Sequence, residues 1–211
     1  MHFPPSGELM GNRKRTTADQ SRRRDRGQAL VEFALVFLIF MTIFTGVLEF
    51  GFAFAVKMQI SFASRDSAVV ASESGGTPAS ADGAILNTID KDLTPPVSRS
   101  LIDHVDIFWA NADGSVKNGA IQRYTPGGPL YLGWGGWTNT VNSYPGSSRC
   151  AFIGGTTAGC LALHTGPDTV GVTVVYNYSW LTPLPSLVGL TGSGITFTQT
   201  NLTTMEPIPT T

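Results

Sequence analysis

Three regimes of hydrophobic patterning follow one another along the chain. The first 26 residues are polar and basic, Ala29 to Val56 is almost wholly apolar, and from Lys57 onward apolar residues recur at intervals. In the second regime the stretch Phe33 to Leu48 is uninterrupted and is flanked by Glu32 and Glu49. A bilayer core takes about 20 helical residues, so this run predicts one membrane-spanning helix with a carboxylate near each interface. Nothing breaks the helical pattern beyond it until Gly75-Gly76-Thr77-Pro78, and Met58, Phe62 and Val69 fall near one helical face. A helix from Gln28 to Ser74 is expected to be roughly 70 Å long at ~1.5 Å per residue. The small residues Ala63, Ser64, Ser67, Ala68, Ala71 and Ser72 suit close packing on the protein's own sheet or on a neighbour, and own-domain packing is the expectation.

A second helix is predicted from about Ala81 to Leu93, with Ser80 as its cap, Ile85, Ile89 and Leu93 at i, i+4, i+8, and Pro95-Pro96 beyond its end. The period then changes to two. Val105, Ile107 and Trp109 alternate with His104, Asp106 and Phe108, and Asn111-Ala112-Asp113-Gly114 turns into a hairpin partner near Ser115 to Arg123. The strongest strand is Val170 to Trp180, and Ile195 to Thr200 is another. Between them, Tyr124 to Asp168 is so densely punctuated by glycine that loops are expected. The fold class is therefore α+β: a long N-terminal helix, spanning first and then exported, packed on a small, mostly antiparallel sheet with long Gly-rich loops. The domains are expected at 1–27 (basic leader), 28–56 (transmembrane helix) and 57–211 (exported domain).

Charge fixes the direction of that arrangement. Arg13, Lys14, Arg15, Arg22, Arg23, Arg24 and Arg26 precede the apolar run and make up half of the fourteen Lys and Arg, whereas only Lys57 and Arg65 follow closely. The positive-inside rule places the leader in the cytoplasm and the residues after Lys57 outside it. Gln28 to Thr211 holds 7 basic and 12 acidic residues, a balance of −5, which makes nucleic acid a poor partner. A cleaved secretory signal is the chief alternative, with Ala53-Phe54-Ala55 as its site and Val56 as the new terminus. The run is longer than a signal core, however, and Glu49 interrupts it.

An ionisable group inside an apolar helix is costly, so Glu32 either snorkels to the headgroups or has a function. Glu32 is the fifth residue counted from Gln28, with Gly27 and the basic leader just before it. This arrangement resembles the processing region of type IV pilins. More narrowly, Arg26-Gly27-Gln28-Ala29-Leu30-Val31-Glu32-Phe33-Ala34-Leu35, with Gly46-Val47-Leu48-Glu49-Phe50-Gly51 after it, is similar to the segment that marks TadE-like proteins, pilin-like components of Tad pilus systems. The resemblance covers about residues 22 to 62. It implies that a prepilin peptidase cuts after Gly27 and leaves Gln28 as the new N-terminus. It also implies that Glu32 pairs with the terminal amine of a neighbouring subunit, which offsets the cost of both ions in hydrocarbon. Glu49 has no place in the pilin pattern, though a glutamate there is familiar in TadE-like segments; it is expected to snorkel outward, or else to meet a partner helix. The implied partners are the prepilin peptidase, other pilin-like subunits with the pilus assembly platform, and membrane lipid. The implied location is the bacterial cytoplasmic (inner) membrane.

Candidate chemistry adds little. Cys150 and Cys160 lack the paired spacing of a structural zinc site and are read as one disulfide, which would stabilise a loop of about ten residues by roughly 2 to 3 kcal/mol; two free thiols are the alternative. His2, His104 and His164 fall in no metal-ligand pattern, and no phosphate loop, dinucleotide fingerprint or G-x-S-x-G element occurs. His104 is read as a solvent-side strand residue and His164 as loop. Asp82, Asp113 and Asp168, beside glycines, are read as turn residues, with calcium a weak second option. Tyr131, Trp134, Trp137 and Tyr144 are read as anchors of a long loop to its core ahead of a contact surface. No enzyme, no cofactor and no metal are expected. Beside an assembly component, the sequence leaves open a membrane-tethered module that binds a surface ligand, and a soluble protein released by signal peptidase.

Overall fold

The computed structural model describes residues 15–74, 80–127, 136–151, 164, 166–183, 186, 189 and 192–206, with the side chains of 15–26 and 80 aside. Two compact units divide it, residues 1–48 and residues 49–211.

A single helix, α1 (Arg15–Glu73), enters both units. In the first unit its side chains from Gln28 to Phe44 are exposed all round, including Leu30, Phe33, Val36, Leu38, Phe40 and Ile43. Among the described residues it is the one helix long and apolar enough to cross a membrane, and none of its most apolar window is buried. A helix apolar on every side needs an apolar partner surface, and this one has the length and composition of a membrane span.

The second unit is an α+β domain. Its elements are the last part of α1, then α2 (Ser80–Asp92) and five strands: β1 (Ile102–Ala110), β2 (Val116–Pro126), β3 (Trp137–Asn142), β4 (Thr169–Ser179) and β5 (Gly194–Thr204). All pairings are antiparallel in the order β3-β2-β1-β4-β5. Inward residues of the two central strands, Val105 and Ile107 of β1 and Val170, Val172, Val174 and Tyr176 of β4, share one core with Ile85, Leu86 and Ile89 of α2. On the opposite face Phe108 lies over Gly171, where a Cβ would come within 2.3 Å of its ring, so glycine is required there.

The face that α1 presents to this core is made of Ala53, Val56, Ile60, Ala63, Ser64, Ser67, Ala68 and Ala71. Its alanines and serines let the helix approach strand backbone, and the Ser64 hydroxyl donates to the Val172 carbonyl at 2.9 Å while accepting from Asn201 Nδ2 at 3.0 Å. Own-domain packing of the small residues is thus observed. The apolar face expected from Met58, Phe62 and Val69 is not the packed one, for all three are exposed, 43 to 51 %. The packed face carries Val56 and Ile60 among alanines and serines, and Met58, Phe62 and Val69 project from the other side of the helix. Ala53 and Val56, placed by the sequence reading within the span, are buried in this domain.

The expectation of loops throughout Tyr124 to Asp168 is corrected as well. β2 runs on to Pro126 and pairs with β3, because Trp137 at the head of β3 is held by tertiary contacts that local glycine content does not foretell. Trp137 is fully buried, its indole N–H donates to Asp90 at 3.0 Å, and the Arg99 guanidinium lies 4.7 Å over its ring.

Candidate assembly segment and the polar groups of the α+β domain

Gly27, Gln28 and Glu32 lie in the continuous helix of the first unit. A Cβ added at Gly27 would meet nothing within 4 Å, so no packing demands glycine there. Gln28 Nε2 donates to Glu32 Oε1 at 3.1 Å, one helical turn away, and both residues are exposed. This pair joins the residue expected to become the N-terminus to the carboxylate expected to bind a terminal amine. The Glu32 carboxylate is thus presented outward among exposed apolar side chains, Val31 and Phe33 beside it.

Glu49 behaves otherwise, and the expectation that it snorkels or meets a partner helix is corrected. Only 2 % exposed, it is held by its own domain: its carboxylate accepts from the Tyr178 hydroxyl at 3.0 Å and from the backbone N–H groups of Leu181 and Thr182 at 2.9 and 3.0 Å. Three donors satisfy a carboxylate that burial would otherwise penalise. Burial, followed by the Glu49 carboxylate, pushes the Tyr178 phenol up to about 12. No partner for Glu49 was legible in the sequence, since Tyr178 lies 129 positions away.

Further polar groups are buried in the same domain. Asp82, read as a turn residue, is buried in the first turn of α2, where it accepts from Arg149 Nη2 and, at 2.6 Å, from the Tyr124 hydroxyl. Asp168, likewise read as turn chemistry, accepts from the Tyr144 hydroxyl at 2.7 Å and the Cys150 N–H at 2.9 Å, and it contacts His164 Nδ1. His164 is in a loop, as expected, but buried and stacked on Trp109 with ring centroids 4.1 Å apart. Burial, reinforced by Asp82 and Asp168 respectively, raises Tyr124 and Tyr144 above the ordinary phenol range. These groups are buried; their chemistry is that of holding Tyr144, Arg149, Cys150, His164 and Asp168 to one another and to α2 and β2. Asp113 alone of the three keeps turn chemistry, accepting from the Ser115 N–H at 2.9 Å. His104 sits at the outer face between Asp103 (2.6 Å) and Asp106 (3.5 Å).

Trp137 and Tyr144 are core anchors, while Tyr131 and Trp134 lie outside the described residues. Cys150 is buried and is not a free thiol; Cys160 lies outside the described residues. Among the described residues no group of three or more His, Cys, Asp or Glu is placed to hold a metal ion.

With this geometry in view, comparison with known proteins bears on one part of the chain. Residues 27–69 match the family model described as TadE-like protein. The chain carries a TadE-like segment. It begins at Gly27, takes in Gln28, Glu32 and Glu49, and ends within the part of α1 that packs on the sheet. No curated protein and no solved structure matches the chain. The TadE-like segment therefore characterises α1, and the sheet stands on its own geometry.

Proposed function

We propose that this protein is a non-enzymatic, membrane-anchored minor pilin or pseudopilin that takes part in assembling a Tad-type pilus or secretion filament. The observation that carries the reading is the placing of the TadE-like segment on one long helix whose first part is apolar on all sides. On this reading the basic leader is cytoplasmic, the domain from Glu49 onward is extracytoplasmic, and a prepilin peptidase removes the leader after Gly27. The new amine at Gln28 then binds Glu32 of a neighbouring pilin-like subunit. Two ions in hydrocarbon are each costly, and pairing them offsets much of that cost. The disulfide between Cys150 and Cys160 belongs to the same proposal, since an exported loop can oxidise.

Two substitutions test the steps separately. Gly27→Val is expected to leave full-length protein with its leader attached. Glu32→Leu makes insertion easier, so that protein is expected to be inserted and cleaved yet to fail to co-purify with other pilus components. Normal cleavage with normal co-purification would remove Glu32 from the functional residues.

A further inference from the structure

We infer that the exported domain makes a second contact with the bilayer, through Trp180, Leu181 and Ile195, and that Glu49 holds it there; the inference rests on the spanning helix proposed above. Glu49 follows the last residue of the apolar run in an unbroken helix. By chain connectivity alone it lies where the helix leaves the hydrocarbon. The bonds from Leu181 N, Thr182 N and the Tyr178 hydroxyl to its carboxylate fix the backbone just after β4 at that same level.

What is held there is apolar and uncharged. Leu181 is 63 % exposed, and Ile195, whose Cα pairs with that of Tyr178, is 39 % exposed. Trp180 is half-buried, edge-on to Tyr178 at 5.7 Å. A single exposed leucine on a soluble surface needs no explanation. A tryptophan and two exposed aliphatic residues pinned at the end of a membrane span are another matter, because indole and apolar side chains favour the boundary between headgroups and acyl chains. Glu49, the acid beside them, has its charge met by three donors and does not repel that boundary. The occupant is lipid and not a second chain, because Glu49, which holds this backbone, directly follows in sequence the apolar run that the bilayer takes up. The carboxylate is a positioning residue in this device; the lipid contact belongs to the loop.

The test uses the full chain in vesicles of phosphatidylcholine and phosphatidylglycerol. A nitroxide is placed in turn at Leu181→Cys, at Val36→Cys in the span, and at Thr200→Cys on the exposed face of β5. Relaxation by oxygen is then compared with relaxation by a water-soluble nickel chelate. The expected result is that Leu181 resembles Val36, with oxygen access and loss of chelate access, while Thr200 stays open to the chelate. Glu49→Ala is expected to return the Leu181 label towards water and leave Val36 in lipid. Should that variant fail to fold, the three labels in the parent chain still decide. Leu181 as open to the chelate as Thr200, with Val36 in lipid, overturns the contact and leaves the span standing. Val36 open to the chelate overturns the span and the contact together. A Leu181 label shielded from chelate and oxygen alike means a protein neighbour covers the loop, which also overturns the lipid contact.

Discussion

One helix meets two surroundings in this protein. From Gln28 to Phe44 α1 is exposed on every side and packs on nothing among the described residues of its own unit, whereas from Glu49 to Glu73 it buries one stripe, mostly of small residues, in a folded domain. The first part has the composition of a helix dissolved in lipid. The second has one wet face and one packed face. Its outer face nevertheless keeps Phe54, Met58 and Phe62 exposed, 47 to 64 %. Apolarity thus has different causes along one helix: the surroundings of every side set it in the first part, and packing sets only the inward stripe in the second.

The largest expected effect breaks the second region alone. Arg149→Met leaves Asp82 buried without its cation, and stripping one partner from a buried ion pair costs about 3 to 5 kcal/mol. Thermal unfolding of the detergent-solubilised chain should show the domain melting far earlier, with membrane insertion unchanged.

A matched pair comes next. Ile60 is fully buried and Ile43 is 63 % exposed, so Ile60→Ala should cost about 2 to 5 kcal/mol through its cavity. Ile43→Ala should leave the domain's unfolding where it was. Equal losses would mean that the two parts of α1 are not in different surroundings.

Fold and site were legible to different degrees. The span, α2 and strands β1, β4 and β5 could be read because each rests on local periodicity: Val170, Val172, Val174, Tyr176 and Tyr178 recur at every second position, and Ile85 and Ile89 sit one turn apart. β3 could not, because Trp137 owes its place to Asp90 and Arg99, which are remote in sequence. Met58, Phe62 and Val69 are strongly apolar yet stay exposed, because hydrophobicity alone does not say which face of α1 meets the sheet; the packed face joins Val56 and Ile60 to alanines and serines. Gly27, Gln28 and Glu32 were legible as a short linear pattern. The Glu49–Tyr178 bond and the Asp82–Arg149 pair join residues far apart in the chain, and no local signal announces them.

A graded effect follows from pH. The phenol of Tyr178 titrates at about 12 in the fold, above its ordinary value of 10.0, and Tyr124 and Tyr144 shift the same way. The unfolded chain therefore loses these protons first as pH rises. The stability they contribute is fully present below pH 10 and is lost between pH 10 and about 12 for Tyr178. Unfolding midpoints should fall over that alkaline range, and Tyr178→Phe should flatten part of the fall. A midpoint indifferent to alkaline pH would contradict the buried tyrosine–carboxylate contacts.

The smallest effect is expected on the outer face. Phe62→Ser, at a 51 % exposed position, should shift the stability of the solitary chain by no more than about 0.5 kcal/mol. A large loss would show that this face is packed.

The account stands most directly on the N-terminus of the chain recovered from its native membrane. Intact-mass measurement, with sequencing of the terminal peptide, should give a polypeptide that begins at Gln28 and still contains the apolar helix. A chain retaining residues ahead of Gln28 would contradict processing at Gly27, and one beginning at Val56 would contradict membrane anchoring altogether.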